Sequence, residues 1–172
     1  MGSEVSFWVA GLTGGLAGAL ATQVITLVKW FALSPRLEIN IGKDTVGCRV
    51  PVVGGTYFRA KIINNGNTIA KNVRVLISGP GEGIDEVYDA PWSGLDVESI
   101  DIPSKTYRFC DLFFISENGQ LVITTRTNVE APQYKKIGTV SANIHASAEN
   151  SGTSSSNVNI HYSGSERSTI LL

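Results

Sequence analysis

Histidine is the side chain best suited to moving protons near neutral pH, and this chain has two, His145 and His161. Each sits in an alternating run, SANIHASAEN and NVNIHY, opposite the apolar positions. Those are Ala142, Ile144, Ala146 and Ala148 in the first run, and Val158, Ile160 and Tyr162 in the second. A period of two therefore turns both imidazoles toward solvent. A two-histidine metal site across paired strands is compatible with that geometry, but no carboxylate or thiolate recurs at ligand spacing. Acidic residues gather in GEGIDEVYDAPWSGLDVESID as Glu82, Asp85, Glu86, Asp89, Asp96, Glu98 and Asp101. A calcium loop needs oxygen ligands at fixed positions around a sharp glycine turn, and this spacing supplies none, so a solvated acidic loop is expected.

Nucleophiles are equally poorly placed. The serines of NSGTSSSNVN stand in no Gly-x-Ser-x-Gly elbow and near no histidine with an Asp orienter, and the segment reads as a flexible loop before the last strand. Gly54-Gly55 and Gly79-Pro80-Gly81 are turn glycines, and neither precedes a helix whose N-terminus would hold a phosphate. Cys48, in a Gly-Cys-Arg loop, and Cys110, in a strand, are too widely spaced for a metal site. Two reduced thiols are the favoured reading, with a Cys48–Cys110 disulfide as the alternative. No catalytic residue, cofactor or metal is expected, and the chain is not expected to be an enzyme. Trp92, an aromatic in an otherwise acidic loop, is the candidate partner contact; the alternative is a cap over the open end of the core.

These residues must be positioned by elements, and the first element differs from the rest. From Val5 to Val28, VSFWVAGLTGGLAGALATQVITLV carries no charge; as a helix its 24 residues would span about 36 Å, enough to cross a bilayer. Trp8 near one end and Lys29 with Trp30 at the other suit the membrane interface. A cleaved signal peptide is disfavoured, since Glu4 stands where a basic region belongs and apolar sequence runs past Ala19-Leu20-Ala21. Gly11 with Gly15, and Gly14 with Gly18, form overlapping small-xxx-small pairs that would let a second helix approach closely. Basic residues follow the span as Lys29, Arg36, Lys43 and Arg49, and none precedes it, so the body is expected on the cytoplasmic side. Residues 1–33 are thus expected to be a membrane anchor and residues 34–172 a separate domain.

Beyond Ser34-Pro35 the hydrophobic period becomes two. Leu37, Ile39 and Ile41 alternate with polar residues; Phe58, Ala60 and Ile62 do the same, as do Val73, Val75 and Ile77. Further strands are expected at 99–102, 107–116, 121–127, 136–149 and 157–162. The runs on either side of Asn64-Asn65-Gly66-Asn67 are expected to pair as antiparallel neighbours through that turn. No helical period follows Leu33. The expected fold is all-β, an antiparallel sandwich of about seven or eight short strands preceded by one transmembrane helix. A formal charge of −1 with scattered basic residues makes nucleic acid a poor partner.

The stretch FRAKIINNGNTIAKNVRVLISG is similar to the strand, Asn-x-Gly, x-x-Ala, Val-strand pattern of the immunoglobulin-like modules called CARDB or APHP domains. More loosely, APWSGLDVESIDIPSKTYRFCDLFFI followed by IHASAENSG resembles a prokaryotic family of single-pass membrane-anchored proteins. The resemblance covers most of residues 36–164 and implies an Ig-like sandwich; neither group carries a known enzymatic activity. The expected function is a membrane-anchored binding or assembly module. Its expected partners are lipid and either a second copy or another membrane protein. The alternative is a structural component of a membrane-associated or viral envelope assembly.

Overall fold

The computed structural model describes residues 21–26, 28, 33–42, 45–79, 87–125, 133–134, 138–162 and 169–171, with 133–134, 138–140, 160–162 and 169–171 described through their backbone alone. The chain divides into two compact units, Met1–Ser34 and Pro35–Leu172. In the first unit, residues 21–26, 28 and 33 are helical, and the Thr26 hydroxyl donates to the Thr22 carbonyl one turn earlier at 2.8 Å. No helix among the described residues is long and apolar enough to cross a membrane. Most of the apolar stretch lies outside the described residues, and so do Trp8, Gly11, Gly14, Gly15, Gly18, Lys29 and Trp30.

The second unit is all-β. Twelve strands stand among the described residues, in order: β1 (Leu37–Asn40), β2 (Arg49–Val52), β3 (Gly55–Asn64), β4 (Ala70–Ser78), β5 (Val87–Asp89), β6 (Ile100–Ile102), β7 (Thr106–Ser116), β8 (Leu121–Ile123), β9 (Gln133–Tyr134), β10 (Gly138–Ser147), β11 (Ser154–Tyr162) and β12 (Thr169–Leu171). They form two sheets. One runs β1-β3-β7-β8-β9 with β2 also on β3, and the other runs β12-β11-β10-β4-β5 with β6 also on β4. Every pairing is antiparallel. Alternation produces one core between the sheets: Phe58, Ala60 and Ile62 from β3 meet Val73, Val75 and Ile77 from β4 and Ala142, Ile144 and Ala146 from β10.

The strand count exceeds the expected seven or eight because several strands are three or four residues long, too short for alternation to register. These short strands lie in tandem along one edge of a long one. β2 and β1 share one edge of β3, and β5 and β6 share one edge of β4. The Ser-rich segment is also corrected: Ser154, Ser155 and Ser156 belong to β11, opposite Ala146, His145 and Ile144, so the turn is confined to 148–153. At the β2–β3 hairpin, a Cβ on Gly55 would fall 2.1 Å from the Ile115 carbonyl oxygen of β7, a contact that only glycine avoids.

A second correction concerns β3 and β4, which are not neighbours: the Asn-rich link carries the chain from one sheet to the other. Both edges of each strand are already occupied, β3 by β1/β2 and β7, and β4 by β10 and β5/β6. What holds the crossing is Asn64, buried to 0% exposure. Its Oδ1 accepts from the backbone N–H of Arg36 at 3.2 Å and of Gly66 at 3.0 Å. Its Nδ2 donates to the carbonyls of Thr68 at 2.7 Å and Ile102 at 3.0 Å. One amide thereby ties the entry to β1, its own turn and β6 of the opposite sheet. Replacing Asn64 with Ala strands these buried groups, and the unfolding free energy should fall by about 3–5 kcal/mol. Urea denaturation of the purified variant checks this; a loss below about 1 kcal/mol would show that water replaces the amide at no great cost.

Candidate functional site

The polar chemistry of the body concentrates beside the middle of β7. Four consecutive residues there, Cys110, Asp111, Leu112 and Phe113, are buried, which simple alternation does not allow. A bulge explains it. Phe58 pairs with Phe113 and Arg59 with Asp111, so Leu112 is the extra residue, and the two inward positions flank a re-aimed one. Before the bulge, the free edge of β7 is covered by the Trp92 loop: the Ser93 N–H donates to the Phe109 carbonyl at 3.0 Å and the Asp111 N–H to the Pro91 carbonyl at 2.9 Å. After it, β8 takes over, with Phe113, Phe114 and Ile115 opposite Ile123, Val122 and Leu121.

Asp111 is the electrostatic centre of this region. Its Oδ1 accepts from the Arg59 guanidinium at 2.6 Å and from the Ser93 hydroxyl at 2.5 Å, with the Arg59 and Asp111 side chains 22% and 13% exposed. The Arg59 guanidinium also lies 5.9 Å from the ring centre of Tyr57, which packs on Phe114 with centroids 4.8 Å apart. Next to this cluster opens a groove of about 350 Å³ whose lining includes Tyr57, Trp92, Asp96, Asp111, Thr124 and Thr125. Two of those residues carry buried polar atoms without a hydrogen-bond partner, the indole Nε1 of Trp92 and the hydroxyl of Thr124. A buried donor left unpaired costs roughly 1–3 kcal/mol, so the two carry a local cost in stability.

Trp92 itself is 1% exposed and its backbone bridges to Cys110. This placement agrees with the core-capping alternative; the surrounding loop, not the indole face, is what meets solvent. Acidic residues singled out in the sequence disperse. Arg74 pairs with Asp89 at 3.1 Å and with Glu98, Asp101 accepts from the Asn72 N–H, and only Asp96 lines the groove. Glu82, Asp85 and Glu86 lie outside the described residues. Among the described residues no group of three or more His, Cys, Asp or Glu stands close enough to hold a metal. His145 is half-buried on the face opposite the core, and the side chain of His161 lies outside the described residues. Sequence reasoning passed over Asp111 and Thr124. Asp111 had one available signal: a carboxylate amid the apolar run CDLFFI, opposite an arginine in the strand pattern.

Cys48 and Cys110 are both free and buried, as the reduced-thiol reading expects. They flank β3 from opposite edges: Arg59 donates its N–H to the Cys48 carbonyl at 2.7 Å, and Cys110 pairs with Ala60. Burial pushes the Cys110 thiol far above its ordinary 9.0, with neighbouring Asp111 and Cys48 adding to the rise; burial likewise raises Cys48. No family model matches the chain, and no curated protein or solved structure matches it.

Two outcomes follow for this region. Asp111→Ala removes the acceptor of a mostly buried guanidinium and a serine, and should lower stability by about 2–4 kcal/mol, whereas Asp111→Asn, which keeps an acceptor, should lose less. Equilibrium unfolding of the two variants side by side is the measurement; equal losses would mean that charge alone matters. For the thiols, below pH 9.0 both folded and unfolded chains keep the proton and stability is unaffected. Above it the unfolded chain releases a proton that the folded chain retains, so stability falls by about 1.4 kcal/mol per pH unit for each such thiol. Unfolding of the native protein and Cys110→Ala from pH 8 to 10 should show the gap between the two curves closing by about that amount; parallel curves would contradict it.

Proposed function

We propose that this protein is a single-pass membrane protein whose Ig-like, CARDB-like body is a non-catalytic recognition module held next to the bilayer on the cytoplasmic side. The observation that carries the reading is the charge-free stretch from Val5 to Val28, followed at Pro35 by a compact all-β unit. The end of that stretch and the residues just after it add support: Val24, Ile25 and Val28, and beyond Lys29 also Leu33, are each more than half exposed, an apolar surface that lipid would cover. Trp8, Lys29 and Trp30 mark the interfaces, and Gly11, Gly14, Gly15 and Gly18 supply the face along which two helices pack. Clustering through that face gives a recognition module multiple copies, which strengthens weak binding through effective concentration.

The full chain expressed in membranes tests this. It should stay in the membrane pellet through an alkaline carbonate wash, require detergent for release, and cross-link within the bilayer as a discrete small oligomer. Gly14→Leu with Gly18→Leu should keep it in the pellet and reduce the cross-linked species several-fold. Release by carbonate would overturn the anchor, and undiminished cross-linking would overturn the helix-packing face.

A further inference from the structure

We propose that the outer face of the sheet containing β3 and β7 lies against a phospholipid bilayer, with Val46, Val52, Val53 and Tyr107 set into the lipid interface. The inference rests on reading the chain as membrane-anchored, and it adds which face of the body meets the lipid. The two outer faces of the sandwich differ in chemistry. On the sheet containing β4, β10 and β11 the outward positions include Arg74, Ser141, Asn143, His145, Ser155 and Asn157, and among the described side chains of these strands only Leu76 interrupts the polar set. On the other sheet, Tyr57 and Ile63 of β3 face outward beside Phe114, Phe109 and Tyr107 of β7, and Val50 and Val52 extend this face along β2. Its charges are few. Arg59 and Asp111 neutralise each other, Glu38 at its border accepts from the Asn65 amide, and the Lys61 ammonium lies 3.9 Å from the ring centre of Tyr107, the pairing of aromatic ring and amine that suits a membrane interface.

Two valines stand out from this face, each on a backbone turn that hydrogen bonds hold in place. Val46 is 90% exposed in a turn where the Thr45 N–H donates to the Gly42 carbonyl, the Cys48 N–H to the Thr45 carbonyl, and the Thr45 hydroxyl to Asn40 Oδ1 at 2.9 Å. The next residue, Gly47, has φ of 88° and rests on the Phe109 ring, which places the turn over the outer face. Val53 is wholly exposed at the tip of the β2–β3 hairpin, a position usually given to a polar residue, glycine or proline. Glu117 fixes that tip: its Oε1 accepts from the Gly54 N–H at 3.0 Å, and its own N–H donates to the Gly54 carbonyl at 2.9 Å. Ordered turns that hold large apolar side chains in water mark a surface covered by something apolar. A second copy of the sheet is the rival cover, but tight packing needs matching surfaces, and the projecting Val46 and Val53 would hold two such faces apart. A bilayer deforms around projections. The tether supplies the rest: nine residues separate Val28, the end of the charge-free stretch, from Leu37 of β1, so even weak lipid affinity is amplified by effective concentration.

The test places an environment-sensitive fluorophore on Val46→Cys, Val53→Cys or, on the opposite sheet, Asn157→Cys in the full-length chain reconstituted in phosphatidylcholine vesicles. Cys48 and Cys110 are buried, so the introduced thiol takes the label. Phosphatidylcholine carrying a nitroxide on its acyl chain should quench the probes at 46 and 53 several-fold more than the probe at 157. Val46→Asp should reduce quenching at 53 several-fold without lowering the Tm, because the side chain it replaces is exposed. Equal quenching at all three positions, or none at 46 and 53, overturns the proposal. Energy transfer between copies labelled at 53, with no quenching by the nitroxide lipid, assigns the face to a second copy and overturns the lipid. A chain that stays in the pellet through the carbonate wash with both probes unquenched loses this face and keeps the anchor. A chain that the wash releases, yet whose probes are quenched on added vesicles, loses the anchor and keeps the face.

Discussion

The body depends on a single buried amide. Asn64 ends β3 at zero exposure, and its four hydrogen bonds reach the residue before β1, the turn that follows and β6 of the opposite sheet. Around it the link is further fixed: Asn65 donates its N–H to the Arg36 carbonyl, Lys105 donates its N–H to the Asn64 carbonyl, and the Ser104 hydroxyl donates to Gly66. Two sheets packed through apolar side chains can slide, because dispersion and burial are not directional. An amide with two donors and two acceptor sites, all used, has only one satisfactory position, so it converts non-directional packing into a fixed corner. The chain enters at the same corner, through Arg36 and through the Pro35 carbonyl, which accepts from Ser151.

Alternation made the long strands legible. The expected inward sets of β3, β4 and β10 are the buried ones, because a strand with one face on a core must repeat every two residues. Connectivity was not legible. Asn-Asn-Gly-Asn reads as a hairpin turn whether its flanking strands pair or part, and the deciding fact, that both edges of β3 and β4 are occupied by other strands, belongs to the tertiary fold. Asn72 shows the same limit at smaller scale. Its φ of 49° and the register slip between Ala70 and Val73 form a bulge in what looks like an unbroken strand, secured by Asp101 and Glu149, residues 29 and 77 positions away.

The candidate site was hidden for a related reason. Asp111 sits within an apolar run, where the pattern marks a strand and gives the carboxylate no distinction, and Thr124 follows a three-residue strand that alternation detects only coarsely. Trp92 was visible both as a candidate partner contact and as a cap over the core, and the local sequence could not choose between them. Its burial comes from the backbone bridge to Cys110, a contact between segments 18 positions apart that no local pattern encodes. Among the described residues, those with visible chemical character are instead outward-facing or engaged: His145 is half-buried on the face opposite the core, and Asp89, Glu98 and Asp101 are held by Arg74 and Asn72.

The location of the groove follows from how these sheets are assembled. Wherever two short segments share one edge of a long strand, a seam opens between them, and a loop must supply the hydrogen bond that neither segment provides. On β3, the Cys48 carbonyl accepts from Arg59 at the seam between β2 and β1; on β4, Ala90 donates to Val75 at the seam between β5 and β6. Both are filled by small buried side chains, Cys48 at 3% and Ala90 at 2% exposure. The third seam, on β7, lies between the Trp92 bridge and β8, and there Asp111, held by Arg59 and Ser93, stands in place of a small apolar plug. The chain keeps a charged, hydrogen-bonded wall there and, beside it, two buried polar atoms without partners, a local cost in stability.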